Sequence, residues 1–254
     1  MNIYIPLLIS LLAGLSTVLG SLVIFIKIKK IDSFIAFSLS FSLSVMLFIS
    51  ILDLLPNSIR DIVSYYGITK GFLYIIFILV LGYISIFIIE FFMYKNSKIE
   101  IEKGRSKLYK TAILSMIALI IHNFPEGIAT FMASYKDLTL GLSLGIAIMM
   151  HNIPEGILLA VPLYYSSKSR VKAIGYSLIS GLAEPLGAIL AFMLFKDHIN
   201  NISISVVLIY VAGVMITLSI NELLPSALIY KKNKPVIIGL ILGLLLVIIN
   251  VLAL

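Results

Sequence analysis

The sequence predicts an all-α integral membrane protein with eight transmembrane helices, helices 1–3 and 6–8 forming an inverted repeat around a central pair, 4 and 5. Composition, the placement of basic residues and a recurring stretch point to it. Of 254 residues, 61% are hydrophobic and 12% are charged, about half the charged share of a soluble domain. The mean hydropathy is +1.14. About 20 apolar residues cross a bilayer, so this length allows about eight spans with short loops. A soluble enzyme, a disordered chain and a protein with a large extramembrane part are excluded, and residues 1–254 read as a single membrane domain. Cysteine is absent, which removes disulfides, thiolate metal sites and a Cys nucleophile. The net charge of +7 does not point to nucleic acid, because in a membrane protein the position of the cations matters more than their total.

The apolar segments read as 3–26, 34–55, 71–94, 111–134, 138–164, 171–195, 202–229 and 235–254. The first has no Lys or Arg from Met1 to Ser21 and is too long for a signal-peptide core, so it reads as a helix. Lys27, Lys29 and Lys30 follow span 1. Lys95, Lys98, Lys103, Arg105, Lys107 and Lys110 follow span 3, in a basic loop at about 95–110. Lys168, Arg170 and Lys172 follow span 5, and Lys231, Lys232 and Lys234 follow span 7. These alternate loops hold fifteen of the 19 basic residues, and Arg60, Lys70, Lys136 and Lys196 occupy the others. Eight spans thus satisfy the positive-inside rule with both termini outside the cytoplasm, whereas seven would break the alternation. High Ile and Lys usage with a short loop fits a bacterial inner membrane.

Span 2 contains Val45-Met46-Leu47-Phe48-Ile49-Ser50-Ile51-Leu52-Asp53-Leu54-Leu55-Pro56. Span 7 contains Val214-Met215-Ile216-Thr217-Leu218-Ser219-Ile220-Asn221-Glu222-Leu223-Leu224-Pro225. Val, Met, Ser, Ile, Leu, Leu and Pro match in register, with Asp53 opposite Glu222. The two spans are an odd number apart and cross in opposite directions, the mark of an inverted repeat of the kind secondary transporters use. The inversion puts Asp53 toward the outer face and Glu222 toward the inner face. Two roles stand for them: collecting cations at the mouths of a pathway, or capping helix ends.

Ionisable groups at membrane depth mark function. Span 4 carries His122-Asn123-Phe124-Pro125-Glu126-Gly127, and span 5 carries His151-Asn152-Ile153-Pro154-Glu155-Gly156. Span 6 adds Glu184 before Pro185. His and Glu four apart, and Asn and Glu three apart, share one helix face. Each motif therefore presents imidazole, amide oxygen and carboxylate on a single stripe. Pro125 and Pro154 cannot donate to residues 121 and 150, which releases carbonyls and bends the helices. Gly127 and Gly156 permit close approach of a neighbouring helix. Three carboxylates in hydrocarbon are costly if ionised, so they are either protonated or holding a cation. Imidazole with carboxylate suits Zn²⁺, Fe²⁺, Co²⁺ or Mn²⁺, and each carboxylate has two oxygens with which to bridge two metals. His198, beside Asp197 in a short outer loop, reads as a solvated residue.

The paired motifs, the stretch Ser180-Gly181-Leu182-Ala183-Glu184 and the eight-span layout resemble the ZIP (Zrt/Irt-like) metal transporters, nearest their bacterial ZupT-type branch. The resemblance covers nearly the whole chain, although the basic loop lacks the His-rich cluster common in the family. It implies uptake of Zn²⁺ and related divalent metals (Fe²⁺, Co²⁺, Mn²⁺, Cd²⁺) into the cytoplasm by alternating access, through a binuclear centre. One metal position would use His122, Glu126, His151 and Glu155. Its neighbour would use Asn123, Glu126, Asn152, Glu155 and Glu184. Met46 is a candidate further ligand of the first, or else a packing residue. The resemblance also implies that spans 1, 4, 5 and 6 carry the metal while spans 2, 3, 7 and 8 form a scaffold and a homodimer surface. Gly14, Ser16, Gly20, Gly141, Ser143 and Gly145 either let helices slide or simply pack. The metal is cargo, and no cofactor and no enzymatic activity are expected.

Two other readings compete. A membrane di-metal enzyme also uses His and acidic residues, but His-Glu-x-x-His is absent, and a di-iron bundle offers Glu-x-x-His where this chain reads His-x-x-x-Glu. A metal exporter or proton antiporter would use the same ligands. Metal binding needs deprotonated ligands, so affinity should fall at acidic pH in either direction of transport.

Overall fold

A computed structural model describes residues 3–96, 105–195 and 200–253. His198 with Asp197, and the centre of the basic loop with Lys98 and Lys103, lie outside them. Among the described residues every regular element is helical. Eight helical stretches are long and apolar enough to cross a membrane: Tyr4–Phe25, Ile31–Tyr66, Ile68–Ile88, Met116–Lys136, Leu138–Ser167, Arg170–Leu194, Asn201–Ile229 and Asn233–Ala253. They are numbered here as spans 1 to 8.

Local chemistry sets the ends. Gly67, at φ +76°, adopts a backbone open to glycine and joins spans 2 and 3 through one residue. Asp137 separates spans 4 and 5, its carboxylate accepting from the Leu140 N–H at 3.0 Å as an N-cap. Ser169 caps span 6 in the same way. Lys168 closes span 5 in the left-handed conformation.

Span 2 differs from expectation. Its helix does not stop near Pro56 but continues to Tyr66, through a π-helical turn at Ser50–Leu54 and then helix Leu55–Tyr66. The wider turn absorbs the missing N–H and the ring clash of Pro56, which becomes a first-turn proline of the next segment. Span 7 has the same device at Ser219–Leu223, before Pro225. Neither Asp53 nor Glu222 therefore caps a helix end. Each lies inside a π turn. Pro125, Pro154 and Pro162 lie within helices that continue through them.

Spans 1 and 4 both pack on span 5, and span 4 packs on span 6. Span 2 packs on span 8, and span 3 on span 7. Spans 3 and 8 are the most exposed and display large apolar side chains such as Phe77, Phe87, Ile249 and Leu252, as lipid-facing helices do. Span 5 is the most enclosed. Side-chain contacts sort the helix ends into two faces. On one face the Arg170 guanidinium at the start of span 6 lies 4.8 Å from the Phe25 ring centre and 6.0 Å from that of Tyr164. On the other, Lys136 at the end of span 4 pairs with Asp61 of span 2, which also accepts from Ser205 of span 7 at 2.8 Å.

Candidate metal centre

The two motifs face each other across the contact between spans 4 and 5. His122 Nε2 lies 3.2 Å from Glu155 Oε2. His151 Nε2 lies 3.4 Å from both oxygens of Glu126. Each imidazole thus reaches the carboxylate of the other helix. An ionised carboxylate can only accept, so each Nε2 donates, and in the neutral imidazole each Nδ1 carries the lone pair. Glu184 joins from span 6. Its Oε1 accepts from Asn152 Nδ2, and it interacts electrostatically with Glu126 and Glu155.

Backbone carbonyls orient the two amides. Asn152 Nδ2 also donates to the Ala13 carbonyl of span 1 at 3.0 Å, and Asn123 Nδ2 donates to the Ser180 carbonyl of span 6 at 3.2 Å. With the N–H groups held by neighbouring helices, both amide oxygens are left free. Close approach makes this possible. A methyl group at Gly127 would strike the Glu184 carbonyl oxygen, and one at Gly156 would strike that of Thr17.

All seven motif residues are buried. Each keeps one buried atom without a hydrogen-bond partner: Nδ1 of both histidines, Oδ1 of both asparagines, Oε1 of Glu126 and of Glu155, and Oε2 of Glu184. These are lone-pair atoms, the kind a metal uses. The other orphaned side-chain atoms among the described residues are the hydroxyls of Ser10, Thr17, Ser58, Ser134 and Ser180. The side chains stand as crossed pairs, and no three His, Asp or Glu among the described residues already converge as a ligand cage.

A cavity of about 250 Å³ reaches the pairs from one side. His122, Glu155 and Met46 line it, with Glu222 and Ser226 of span 7 and, at the end of that span, Tyr230. Met46 is fully buried, and its Sδ lies 3.9 Å from the Ser42 hydroxyl. Burial, and then the charge of Asp32, push the Tyr230 phenol up from its ordinary value. Asp53 sits elsewhere, accepting from Asn57 at 2.9 Å and Ser143 at 3.1 Å. Asn250 of span 8 donates to the Ser143 carbonyl and hydroxyl at 2.9 and 3.0 Å. The small residues pack tightly: Gly14 lies against the Gly181 carbonyl, Gly20 against that of Ile153, and Gly141 against Ser134.

Sequence reasoning gave no role to Thr17, nor to the Ala13 and Ser180 carbonyls that hold the amides. A signal for them exists. Gly14-Leu15-Ser16-Thr17-Val18-Leu19-Gly20 in span 1 repeats as Gly181-Leu182-Ala183-Glu184-Pro185-Leu186-Gly187 in span 6, with Thr17 in the register of Glu184.

Comparison with known proteins places the chain in a family. Residues 95–250 match the ZIP zinc transporter family. A protein named zinc transporter ZupT from Stenotrophomonas maltophilia is 38% identical over 250 residues, covering 96% of this chain and 93% of that protein. Proteins of the same name from Clostridium perfringens and Oceanobacillus iheyensis are 34% and 36% identical, covering 99% and 100% of this chain and 96% and 99% of their own lengths. Those relatives are named as transporters, not enzymes. With the paired His-Asn-x-Pro-Glu-Gly motifs and eight apolar helices already described, this chain belongs to the ZIP zinc transporter family.

Proposed function

We propose that the protein carries Zn²⁺ and related divalent metals (Fe²⁺, Co²⁺, Mn²⁺, Cd²⁺) across a bacterial inner membrane into the cytoplasm, by alternating access through a binuclear centre. The observation that carries this reading is the set of seven buried lone-pair atoms, one on each motif residue, left without partners. A folded interior rarely leaves such groups unmatched, and a dication uses the lone pairs while compensating the three carboxylates. The first metal position takes His122, His151, Glu126 and Glu155, with the Met46 thioether as a soft neighbour. The second takes Asn123, Asn152, Glu126, Glu155 and Glu184. The two glutamates bridge.

The cavity and the ion pair support alternating access, with the centre open to one side and closed on the other. The cavity runs from His122 and Glu155 toward Tyr230, beside Lys231, Lys232 and Lys234, the face the positive-inside rule assigns to the cytoplasm with both termini outside. On the opposite face Asp61 pairs with Lys136. This is an inward-facing state of one membrane domain. The inverted repeat fits as well: exchanging spans 1, 2, 3 and 4 with 6, 7, 8 and 5 turns the 2–8 contact into 7–3 and the 1–5 contact into 6–4. Two such halves give a natural pair of alternating states. The exposed apolar faces leave room for a homodimer contact.

Zn²⁺ influx into proteoliposomes loaded with a zinc-sensitive dye tests the reading. Saturable influx is expected from wild type and none from the His122→Ala/Glu126→Ala double variant. Tight metal binding without influx in wild type would instead favour the enzyme reading.

A further inference from the structure

Thr17 is fully buried, and its hydroxyl has no hydrogen-bond partner. That is unusual for a helical threonine here. Thr130 and Thr217 each donate to the carbonyl four residues back, at 2.9 and 2.7 Å. The corresponding carbonyl for Thr17 is that of Ala13, which already accepts from Asn152 at 3.0 Å and from Ser16 at 2.6 Å. The hydroxyl is left with its lone pairs unused in a buried position, where an unmatched polar group is costly.

The position of Thr17 mirrors that of a proposed ligand. In sequence it takes the register of Glu184 between glycines at the same spacing. In space the match continues. Gly14 and Gly181 each lie against the other's carbonyl. A methyl at Gly14 would sit 3.4 Å from the Glu184 Cβ, and one at Gly181 would sit 3.5 Å from the Thr17 Cβ. Gly127 beside Glu126 lies against the Glu184 carbonyl, and Gly156 beside Glu155 lies against the Thr17 carbonyl. Asn152 is held by the carbonyl of Ala13, and Asn123 by that of its counterpart, Ser180. The approximate two-fold relation that exchanges the motifs therefore exchanges Glu184 with Thr17. Glu184 reaches the centre from span 6, and Thr17 holds the equivalent place on span 1.

We propose that the Thr17 hydroxyl is the sixth oxygen donor of the metal position formed by Asn123, Asn152, Glu126, Glu155 and Glu184. This rests on the transporter reading above. It makes that position all-oxygen, three donors from each half, beside a first position with two imidazoles. Six oxygens suit cations that prefer octahedral oxygen coordination, such as Mn²⁺, whereas Zn²⁺ is satisfied by four ligands. Thr17 is thus a specificity residue. A neutral hydroxyl opposite a carboxylate also keeps the anionic groups at three rather than four.

The experiment uses the full chain in detergent. Mn²⁺ and Zn²⁺ affinities are measured by calorimetry, and thermal unfolding is followed with and without metal, for wild type, Thr17→Val, Thr17→Ala, Thr17→Ser and Glu155→Ala. In Thr17→Val, Mn²⁺ affinity is expected to fall about tenfold and Zn²⁺ affinity less than about threefold, with Thr17→Ser restoring both. Without metal, Thr17→Val should unfold at the wild-type temperature or above, because an unmatched hydroxyl has been removed. Mn²⁺ affinity within twofold of wild type in both Val and Ala variants, with Glu155→Ala abolishing binding, overturns the role of Thr17 and leaves the transporter reading standing. A lower metal-free unfolding temperature in both variants, rescued by Ser, identifies a structural hydroxyl and also overturns it. Absence of metal binding by wild type removes the transporter reading and this proposal together.

Discussion

Two buried polar regions lie in the same bundle and differ in one respect. Around Asp53 the buried side-chain atoms of Asp53, Asn57, Ser143 and Asn250 all have partners: Asn57 and Ser143 donate to the two carboxylate oxygens, and Asn250 ties Ser143 to span 8. Around Glu126, Glu155 and Glu184 the residues touch one another, yet each keeps an unmatched lone-pair atom. Both regions are buried and both contain carboxylates, so burial and charge do not separate them. Satisfaction does. A closed hydrogen-bond network joins helices, whereas an open one is available for a ligand.

The largest test of this contrast is Glu155→Ala. It removes a proposed bridging ligand and the partner of His122. Zn²⁺ transport should fall at least about 100-fold, while helix content by circular dichroism stays at the wild-type level. Wild-type flux in that variant would erase the distinction between the regions. Next comes Gly127→Ala, whose methyl meets the Glu184 carbonyl. Forcing the helices apart should cost about 1–3 kcal/mol, read as a lower unfolding temperature, and should disturb metal binding through the shift of Glu184.

Asp53→Ala sharpens the comparison from the other side. It leaves Asn57 and Ser143 short of an acceptor, a loss of about 1–3 kcal/mol in stability. Zn²⁺ affinity should stay within about twofold of wild type, because the two networks share no hydrogen-bond partner. A collapse of affinity on calorimetry would merge the two regions into one site. The smallest effect belongs to Met46→Leu. The swap conserves volume and should change stability by less than about 1.5 kcal/mol. Loss of the soft sulfur should lower Cd²⁺ affinity a few-fold relative to Zn²⁺, as a competition titration would read.

Much of the molecule was legible in the residues. The apolar segments and alternating cations yield the eight spans, and the structure moves mainly their ends. The true end of span 2 is not legible, because Pro56 reads as a helix stop and a π turn that absorbs it has no marker in a single sequence. The same stop makes Asp53 read as a possible cap, where the structure puts it inside the π turn. His122, Glu126, His151 and Glu155 stood out because ionisable groups are rare in hydrocarbon and their spacing matches one helix turn. Thr17 escaped notice because a lone threonine in an apolar helix ordinarily bonds its own backbone. Its register with Glu184 gains meaning only when spans 1 and 6 are seen to present the same surface to spans 5 and 4.

The sequence by itself determined the membrane class, the number of spans and the chemical types of the proposed ligands. Each follows from local properties: hydropathy over a bilayer's thickness, charge by loop, and side chains at helical spacing. Tertiary structure alone decided that each histidine meets the glutamate of the other helix, that backbone carbonyls hold the asparagine N–H groups away, and that Thr17 loses its usual acceptor to Asn152. These are contacts between residues distant in the chain. Helix crossing positions set them, and no spacing within one helix encodes where its neighbour's carbonyls will lie.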